Sequence, residues 1–452
     1  MSAAAGGERR WISPSITSLE QIDAMIAAPI LARTLTWRWW LTLAVSGALT
    51  LLMIVTVTWL FAHGIGIFGN NTTIVWGFPI ANYVWWLGIG HAGTLISALL
   101  LLTRQKWRAS LNRFAETMTL FAVSLAGLFP IFHLGRPYYL YWIIPYPNVQ
   151  GLWPQWRSAL VWDFWAVGTY ITFSALFWYV GLIPDLAMLR DRASSRRVRR
   201  LYGAFALGWR GSARHWEIHD RFYRYMAALA VPLVVSVHSI VSLDFAASLE
   251  PGWADTIYPP YFVVGALYSG FAMVAVIAAL LRWACSFEAF ITIAHFEAIA
   301  KVLLAASVIM GVSYASEWFW GWYGGERAER HLLTFLFTGP YAPLYYAQLL
   351  CNVMVPQALW FPGVRQSILA VVILSILINI GMWLERILIV WATLSRDYLP
   401  AAWRLFLPTG WDWALLAGSL GAFTFLFMIA VRVLPMLPAH ELGKTWVEEN
   451  GL

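Results

Sequence analysis

Residues 77–102 read GFPIANYVWWLGIGHAGTLISALLLL and contain no Asp, Glu, Lys or Arg. An α-helix needs about 20 mostly apolar residues to cross the hydrocarbon core of a bilayer. Helices and closed barrels are the structures that span a bilayer, because every backbone polar group there must find an internal partner. The stretch is therefore predicted to be a transmembrane helix, and several runs of similar length and character occur along the chain.

The composition of the whole chain also fits a membrane protein. Of its 452 residues, 60% are hydrophobic and 12% are charged, and 29 residues are Trp. Soluble domains carry about 25% charged residues, so this chain lacks the charges for a solvated surface. We predict an all-α polytopic membrane protein. The formal net charge of +7 implies no nucleic-acid partner, because membrane proteins concentrate Lys and Arg in their cytoplasmic loops.

The apolar runs predict ten transmembrane helices. The eighth is the least regular, because Gly339, Pro340 and Pro343 interrupt it. The predicted spans lie near residues 39–62, 78–103, 112–134, 158–183, 223–247, 259–283, 292–316, 334–359, 367–395 and 411–434.

The distribution of basic residues predicts the orientation of the chain. Lys and Arg concentrate in residues 1–36, 104–113 and 184–224, which would all lie on one side of the membrane. The positive-inside rule then places both termini, including the tail at 435–452, in the cytoplasm. The basic loop at 184–222 is either a surface helix against anionic lipid or a stop-transfer loop without a specific partner.

Ionisable side chains inside the spans indicate function best, because a charge near the bilayer centre costs at least about 2.5 kcal/mol. Three predicted helices bring His133, Asp163 and Asp244 to the same depth near the outer surface. One His and two carboxylates can hydrogen-bond both hydroxyls of a quinol and accept the protons that it loses on oxidation. We therefore predict catalytic roles for these three residues.

Each of these residues also has a simpler interpretation. Asp163 could pair with Arg157 or Arg136. Asp244 could cap a helix end near water, and His133 could be an interfacial anchor. Their convergence on one side of the membrane favours a shared site.

A second polar set lies in the cytoplasmic half of the seventh predicted span. His295, Glu297 and Lys301 fall within two turns, and the last two have the i, i+4 spacing of an ion pair. They either relay protons or form a static pair that lowers the cost of inserting charge. Glu317, at the outer end of the same span, joins the predicted proton pathway, whereas Glu116 is predicted to be a rim residue near the inner surface.

The cysteines limit the cofactors that the chain can hold by itself. Cys285 and Cys351 are far apart, and no CxxCH motif is present. Attachment of c-type haem and four-thiolate ligation of an iron–sulfur cluster are therefore excluded. We expect no haem, no iron–sulfur cluster and no metal site in this chain.

Four stretches together resemble the NrfD/PsrC family of integral membrane subunits. They are the run at 77–102, the FHLGRP that ends the third span, the VWDFWAV at the start of the fourth, and the HFEAIAKVLL…SEWFWGWY region of the seventh. More narrowly, they resemble the ActC type of subunit in bacterial alternative complex III, and GHAGTLISALLLL with FHLGRP favours that type over the paralogous ActF type. The resemblance covers nearly the whole chain.

The resemblance implies a particular division of the chain. Two four-helix bundles would occupy residues 78–247 and 259–395, and two peripheral helices would occupy residues 37–62 and 411–434. The sequence before the first helix would be a cytoplasmic segment.

The resemblance also implies a menaquinol or ubiquinol site at the periplasmic end of the first bundle, where His133, Asp163 and Asp244 match positions that the family uses. The side chains expected to bind the quinone are His91, Arg136, Tyr139, His238 and Arg386. The implied partners are an iron–sulfur protein on the periplasmic face, multihaem cytochromes c beyond it and a paralogous ten-helix subunit. The chain itself would lie in the bacterial inner membrane. The chain would be a quinol oxidoreductase subunit that is catalytic only within that complex. The resemblance leaves open whether it also translocates protons.

Two other functions remain open at this point. A b-type cytochrome needs paired His on facing helices, and the His residues in or near four spans could supply one pair, although no span carries two His at the spacing that stacks two haems. A secondary transporter with a midplane site predicts broken helices in matching spans of two halves. Among the predicted spans, the eighth alone looks broken.

Overall fold

The computed structural model describes residues 10–31, 36–143 and 156–451. Every regular element in these ranges is a helix, which confirms the predicted all-α fold. The other residues are 1–9 and 32–35 in the predicted N-terminal segment, 144–155 in the loop before the fourth predicted span, and the C-terminal residue 452.

Fifteen α-helices follow one another in the described ranges. In chain order they are α1 (Leu19–Leu31), α2 (Trp37–His63), α3 (Gly77–Leu102), α4 (Asn112–His133), α5 (Ala159–Arg192), α6 (Arg196–Phe205), α7 (Ala213–Ala246), α8 (Tyr258–Ala284), α9 (Ile293–Tyr323), α10 (Arg327–Thr338), α11 (Ala342–Leu349), α12 (Pro362–Arg365), α13 (Ile368–Leu394), α14 (Gly410–Val433) and α15 (Ala439–Glu449). In the described part of the chain, nine are long and apolar enough to cross a membrane, namely α2, α3, α4, α5, α7, α8, α9, α13 and α14.

The eighth predicted span is a series of short helical pieces rather than one helix. Between α11 and α12 lie a π-helical turn at Leu350–Met354 and a 3-10 helix at Val355–Trp360. α10 ends just before Gly339. Pro340 follows, and a proline lacks the N–H that would continue the helix. Arg365 Nε lies 3.6 Å from Glu297 Oε1 near the start of α9, so the pieces bring the chain back across the bundle. The described chain therefore runs from one end of the bundle to the other nine times as a long apolar helix and once through these pieces.

Both ends of the described chain lie on one face of the bundle, which we call the terminus face. The Trp11 N–H donates to Glu449 Oε1 at 2.7 Å, and the Trp446 indole donates to the backbone oxygen of Ile16 at 3.0 Å. We call the other end of the bundle the opposite face. α3, α5, α8 and α14 run from the opposite face to the terminus face, and α2, α4, α7, α9 and α13 run the other way.

α3, which is the helix of the quoted stretch, lies at the centre of the bundle. Buried residues make up 89% of its most apolar window, compared with 17% in α2. It packs against α4, α7, α8 and α13. A Cβ atom at Gly93 would lie 2.0 Å from the backbone oxygen of Ala115, so the glycine lets α3 and α4 approach closely, as small residues do between membrane helices.

α2 and α14 pack along each other, and α2 leaves most of its surface exposed. A Cβ atom at Gly421 would lie 2.2 Å from Leu49 Cβ, which shows how close these two helices come. The division into two four-helix bundles stays a prediction, because α3 contacts helices of both predicted bundles.

Candidate functional site

The candidate site is centred on a hydrogen bond between α3 and α5. Tyr83 donates its hydroxyl hydrogen to Asp163 Oδ2, and both side chains are buried. Asp163 lies in the second turn of α5, near the opposite face. Among the described residues, Asp163 Oδ1 has no hydrogen-bond partner. Arg136 and Arg157, which the sequence offers as alternative partners of Asp163, are exposed.

Asp244, near the end of α7, belongs to the same cluster. Its carboxylate interacts electrostatically with both Asp163 and Tyr83. Asp244 Oδ1 is buried and finds no hydrogen-bond partner within the described ranges. Two carboxylates repel each other at close range in a poorly solvated site. A proton or a ligand donor between them would relieve that repulsion.

His133 is the last residue of α4, at the opposite face. Its ring is partly exposed, and its Nδ1 atom is buried without a described partner. In the described structure, no direct hydrogen bond joins His133 to Asp163 or Asp244. A ligand would have to bridge His133 to the two carboxylates.

His91 and His238 form a buried pair deeper in the bundle. The two Nδ1 atoms lie 2.9 Å apart, and each residue is 1% exposed. The ring of Tyr170 lies 4.4 Å from the His91 ring, and its hydroxyl donates to the backbone oxygen of Gly90 at 3.1 Å. Sequence reasoning identified both histidines, but it did not identify their contact.

Two of the predicted quinone-binding residues lie at the rim. Arg136 is exposed and hydrogen-bonds to Tyr138 and Tyr139. Tyr139 is 39% exposed, and both residues follow the end of α4. They can contact a ligand at the entrance to the site.

Arg386 lies deeper, on α13. Its Nη1 atom is 3.1 Å from Glu385 Oε1, and both side chains are buried. The guanidinium carbon lies 4.1 Å from the centre of the Phe262 ring, as in a cation–π contact. The Phe262 ring lies 6.0 Å from the His238 ring. The Phe262 ring therefore lies next to both Arg386 and the histidine pair.

A second buried cluster surrounds Glu385, and sequence reasoning missed most of it. Tyr314 donates its hydroxyl hydrogen to Glu385 Oε2, and Asn352 Nδ2 donates to the Tyr314 hydroxyl at 2.9 Å. Asn352 lies in the π-helical turn, a type of irregularity that is frequent at functional sites. Glu317 lies on the same helix as Tyr314 and interacts electrostatically with Glu385.

The other three residues of the predicted proton pathway lie near the terminus face, away from Glu317. The Thr292 N–H donates to His295 Nδ1 at 3.1 Å in a capping box at the start of α9. Glu297 Oε1 lies 3.0 Å from Lys301 Nζ and 3.6 Å from Arg365 Nε. The Lys301 side chain is 51% exposed. The predicted ion pair is therefore present, and the four residues do not form one cluster.

Glu116 is not a rim residue, contrary to the sequence-based prediction, because the fold buries it in a charged network. It is 2% exposed, and its Oε1 atom accepts hydrogen bonds from Ser97 at 2.5 Å and Tyr223 at 2.7 Å. Arg113 Nη1 lies 3.1 Å from Glu116 Oε2, and Arg113 Nη2 lies 3.1 Å from Asp185 Oδ2. The i, i+3 spacing of Arg113 and Glu116 was the one sequence signal for this network.

The chain is similar to known membrane proteins, and one family model covers the part that holds these clusters. The family model of polysulphide reductase NrfD matches residues 66–396. A putative membrane subunit of dimethyl sulfoxide reductase from Halobacterium salinarum is 26% identical over 242 residues, which are 52% of this chain and 50% of that protein. The chain thus spans about half the length of this curated relative. In the described ranges, no group of three or more His, Cys, Asp or Glu side chains is placed to hold a metal ion.

Proposed function

We propose that this chain, which belongs to the NrfD family, is the quinol-binding membrane subunit of a membrane oxidoreductase complex. The family provides membrane subunits of oxidoreductases, and its match includes every residue of the candidate site. The name of the Halobacterium relative describes a membrane subunit of a reductase, which supports the same role.

The proposal rests on three unsatisfied polar atoms near the opposite face. Asp163 Oδ1, Asp244 Oδ1 and His133 Nδ1 are buried and have no described hydrogen-bond partner. Most buried polar atoms in native proteins have a partner, so unsatisfied ones indicate a ligand or water. A quinol carries one hydroxyl donor at each end of a flat ring. Such a ligand can satisfy two of these atoms at once.

The chemistry assigned to these residues is proton transfer. Oxidation of a quinol to a quinone releases two electrons and two protons. We assign Asp163 as the acceptor of one proton, since Tyr83 holds its Oδ2 atom and leaves Oδ1 for the ligand. Asp244 is assigned to the second proton, and His133 to orienting the ring. The electrons would pass to an iron–sulfur protein seated on the opposite face.

The finer assignment follows the resemblance of the quoted motifs. We propose an ActC-like subunit of an alternative complex III in the bacterial cell membrane, with menaquinol or ubiquinol as substrate. The opposite face would be periplasmic and the terminus face, with both chain ends, cytoplasmic. Multihaem cytochromes c and a paralogous ten-helix subunit would complete the assembly. The basic residues of α6, on the terminus face, support this orientation.

Proton translocation is a second proposed function, with two candidate routes. One runs inside the bundle from Glu116 to the histidine pair. Ser97 hydrogen-bonds to Glu116, Thr94 one turn away hydrogen-bonds to Ser174 and Tyr170, and the Tyr170 ring contacts that of His91. Thr94 Oγ1 donates to Ser174 Oγ at 3.2 Å. The other route uses His295, Glu297 and Lys301, with Glu317 at the far end of α9. The first route has the more continuous set of described contacts.

The two competing functions each meet an obstacle in the geometry. The ring centres of His91 and His238 lie 4.7 Å apart and their Nδ1 atoms 2.9 Å apart, which leaves no room for a porphyrin between the two rings. The pair therefore does not fit as shared ligands of a haem iron. A transporter with repeated halves would need a second broken helix, and α3, α4, α5 and α7 are continuous.

The test of the proposed quinol site is the Asp163→Asn variant in the assembled complex. An amide keeps the shape and accepts the Tyr83 hydrogen bond, but it cannot take a proton. We expect quinol oxidation to fall roughly 100-fold or more while assembly persists. Asp397→Asn is the matched control, because Asp397 is also an aspartate near the opposite face, just beyond the end of α13, but lies outside the cluster. Normal turnover in the Asp163→Asn complex would refute the assigned role.

A further inference from the structure

We infer that a cleft on the terminus face binds the phosphate group of an anionic membrane phospholipid. The cleft has a volume of about 740 Å³ and lies between the ends of α3, α5 and α7 on one side and α15 on the other. It is at the far end of the bundle from Tyr83 and Asp163. The inference therefore does not depend on the proposed quinol site.

α6 indicates that the cleft lies at the depth of the membrane surface. Its sequence, RRVRRLYGAF, is strongly basic, and Leu201 and Phe205 are exposed among the arginines. A helix of this kind lies in the interface between lipid headgroups and acyl chains. The Tyr179 hydroxyl donates to the backbone oxygen of Phe205 at 2.8 Å, which ties α6 to α5. Gly181 and Asp185, which follow Tyr179 on α5, line the cleft.

Four exposed basic side chains line the cleft and would attract an anion, although the lining also includes four carboxylates and the buried, paired Arg108 and Arg113. Lys106 and Lys444 are already paired, with Glu448 at 3.3 Å and Asp220 at 2.7 Å respectively. The other two are arginines that have no carboxylate within 4 Å in the described structure, namely Arg104 and Arg224.

The two arginines suit a phosphate group because a guanidinium can donate two parallel hydrogen bonds to its oxygens. Arg104 is exposed just beyond the end of α3. Arg224 is exposed on α7, and its Nε donates only to the backbone oxygen of Asp220, at 3.1 Å. Basic pockets between transmembrane helices at the membrane surface bind the headgroups of anionic lipids.

The apolar surroundings of the cleft favour a lipid over free phosphate. Leu101 and Leu102 line it, and Leu102 is 43% exposed. Pro184 and Trp216 also line it. These side chains offer a surface for the glycerol and the first methylenes of a phospholipid. Inorganic phosphate would gain nothing from them.

The inference is tested with the full-length protein in a zwitterionic detergent. We would add phosphatidylglycerol, measure the thermal unfolding midpoint, and count bound lipids by native mass spectrometry. The wild type should bind the lipid and unfold at a higher temperature in its presence. The double variant Arg104→Gln/Arg224→Gln should bind it at least about tenfold more weakly, because each basic residue near an anionic lipid contributes to attraction.

Two controls separate the cleft from general charge attraction and from free phosphate. Arg196→Gln/Arg197→Gln removes the same charge from α6, outside the cleft, and should retain most of the binding. Equal loss in both double variants, or no loss in the cleft variant, would overturn the inference. If inorganic phosphate raised the unfolding midpoint as much as phosphatidylglycerol does, the anion bound in the cleft would be free phosphate and not a lipid headgroup, which would overturn the inference. Arg104→Lys/Arg224→Lys keeps the charges and should restore part of the binding.

Discussion

The hydroxyl of Tyr83 on α3 donates a hydrogen bond to Asp163 Oδ2 on α5, and it does so inside the buried part of the bundle. The bond fixes which carboxylate oxygen is held by the protein and which is left for a ligand. Tyr83 is thus a positioning residue in the proposed chemistry, and Asp163 is the residue that would exchange the proton.

Replacing Tyr83 by Phe tests that relationship. Tyr83→Phe keeps the ring but leaves both oxygens of Asp163 without a described donor, and an unsatisfied buried acceptor costs about 1–3 kcal/mol. We expect quinol oxidation by the assembled complex to fall roughly tenfold, less than in Asp163→Asn. A steady-state assay with varied quinol concentration would measure the effect on kcat and KM separately.

Tyr225→Phe is the control for this substitution, because Tyr225 is 64% exposed on α7 and far from the cluster along that helix. It should leave turnover unchanged. If Tyr83→Phe also turned over normally, the hydrogen bond to Asp163 would have no part in the reaction.

The sequence could predict near which end of the bundle the polar side chains lie, but not which of them touch. Span counting and charge bias put His133, Asp163 and Asp244 near one face, and all three lie at helix ends on the opposite face. Tyr83 was missed because it is one of 19 tyrosines and its partner is 80 residues away. No feature of the sequence around either residue indicates such a pair.

Helix length explains the misjudged position of Glu116. The apolar run of the fourth predicted span stops near residue 183, which puts Asp185 in a loop, whereas α5 continues to Arg192. This extension brings Asp185 to Arg113, and the network closes around Glu116. Hydropathy cannot detect a helix that extends beyond its apolar run.

Glu116→Gln should therefore destabilise the protein. Arg113 would keep Asp185 as its one remaining carboxylate partner, and removing one member of a buried ion pair costs about 3 kcal/mol or more. Glu217→Gln is a matched control, since its pair with Arg221 is 2.7 Å long but exposed, and exposed pairs contribute about 1 kcal/mol or less. Thermal unfolding in detergent should show a clear drop for the first variant and little change for the second. Equal midpoints would mean that the buried network adds no stability.

The C-terminal helix should make stability depend on pH. Burial lowers the pKa of His440 on α15 from 6.5 to about 4, and its ring stacks 3.5 Å from that of Trp216. The folded protein then binds fewer protons than the unfolded chain between these values, so the contribution of His440 is complete above about pH 6.5 and is lost as the pH falls toward 4. The charged and titratable groups around it are Lys444, Asp220, Glu441 and His219.

His440→Gln removes this titration and should reduce the loss of thermal stability between about pH 7 and about pH 4.5. The comparison is between the two pH-dependent changes in unfolding midpoint, not between midpoints at one pH. If wild type and variant lost the same amount, the pH dependence would come from other groups.

Glu297→Gln distinguishes the two interpretations of the polar set on α9. Glu297 Oε1 is close to two cationic groups, at 3.0 Å from Lys301 and 3.6 Å from Arg365. A carboxylate held between two cations is suited to a static role, because giving up its charge would remove the carboxylate partner of both. We expect Glu297→Gln to lower the unfolding midpoint and to leave quinol oxidation in detergent unchanged. In sealed vesicles, the number of protons translocated per quinol should equal that of the wild type. A lower proton ratio in a complex of normal stability would instead establish Glu297 as part of a proton route.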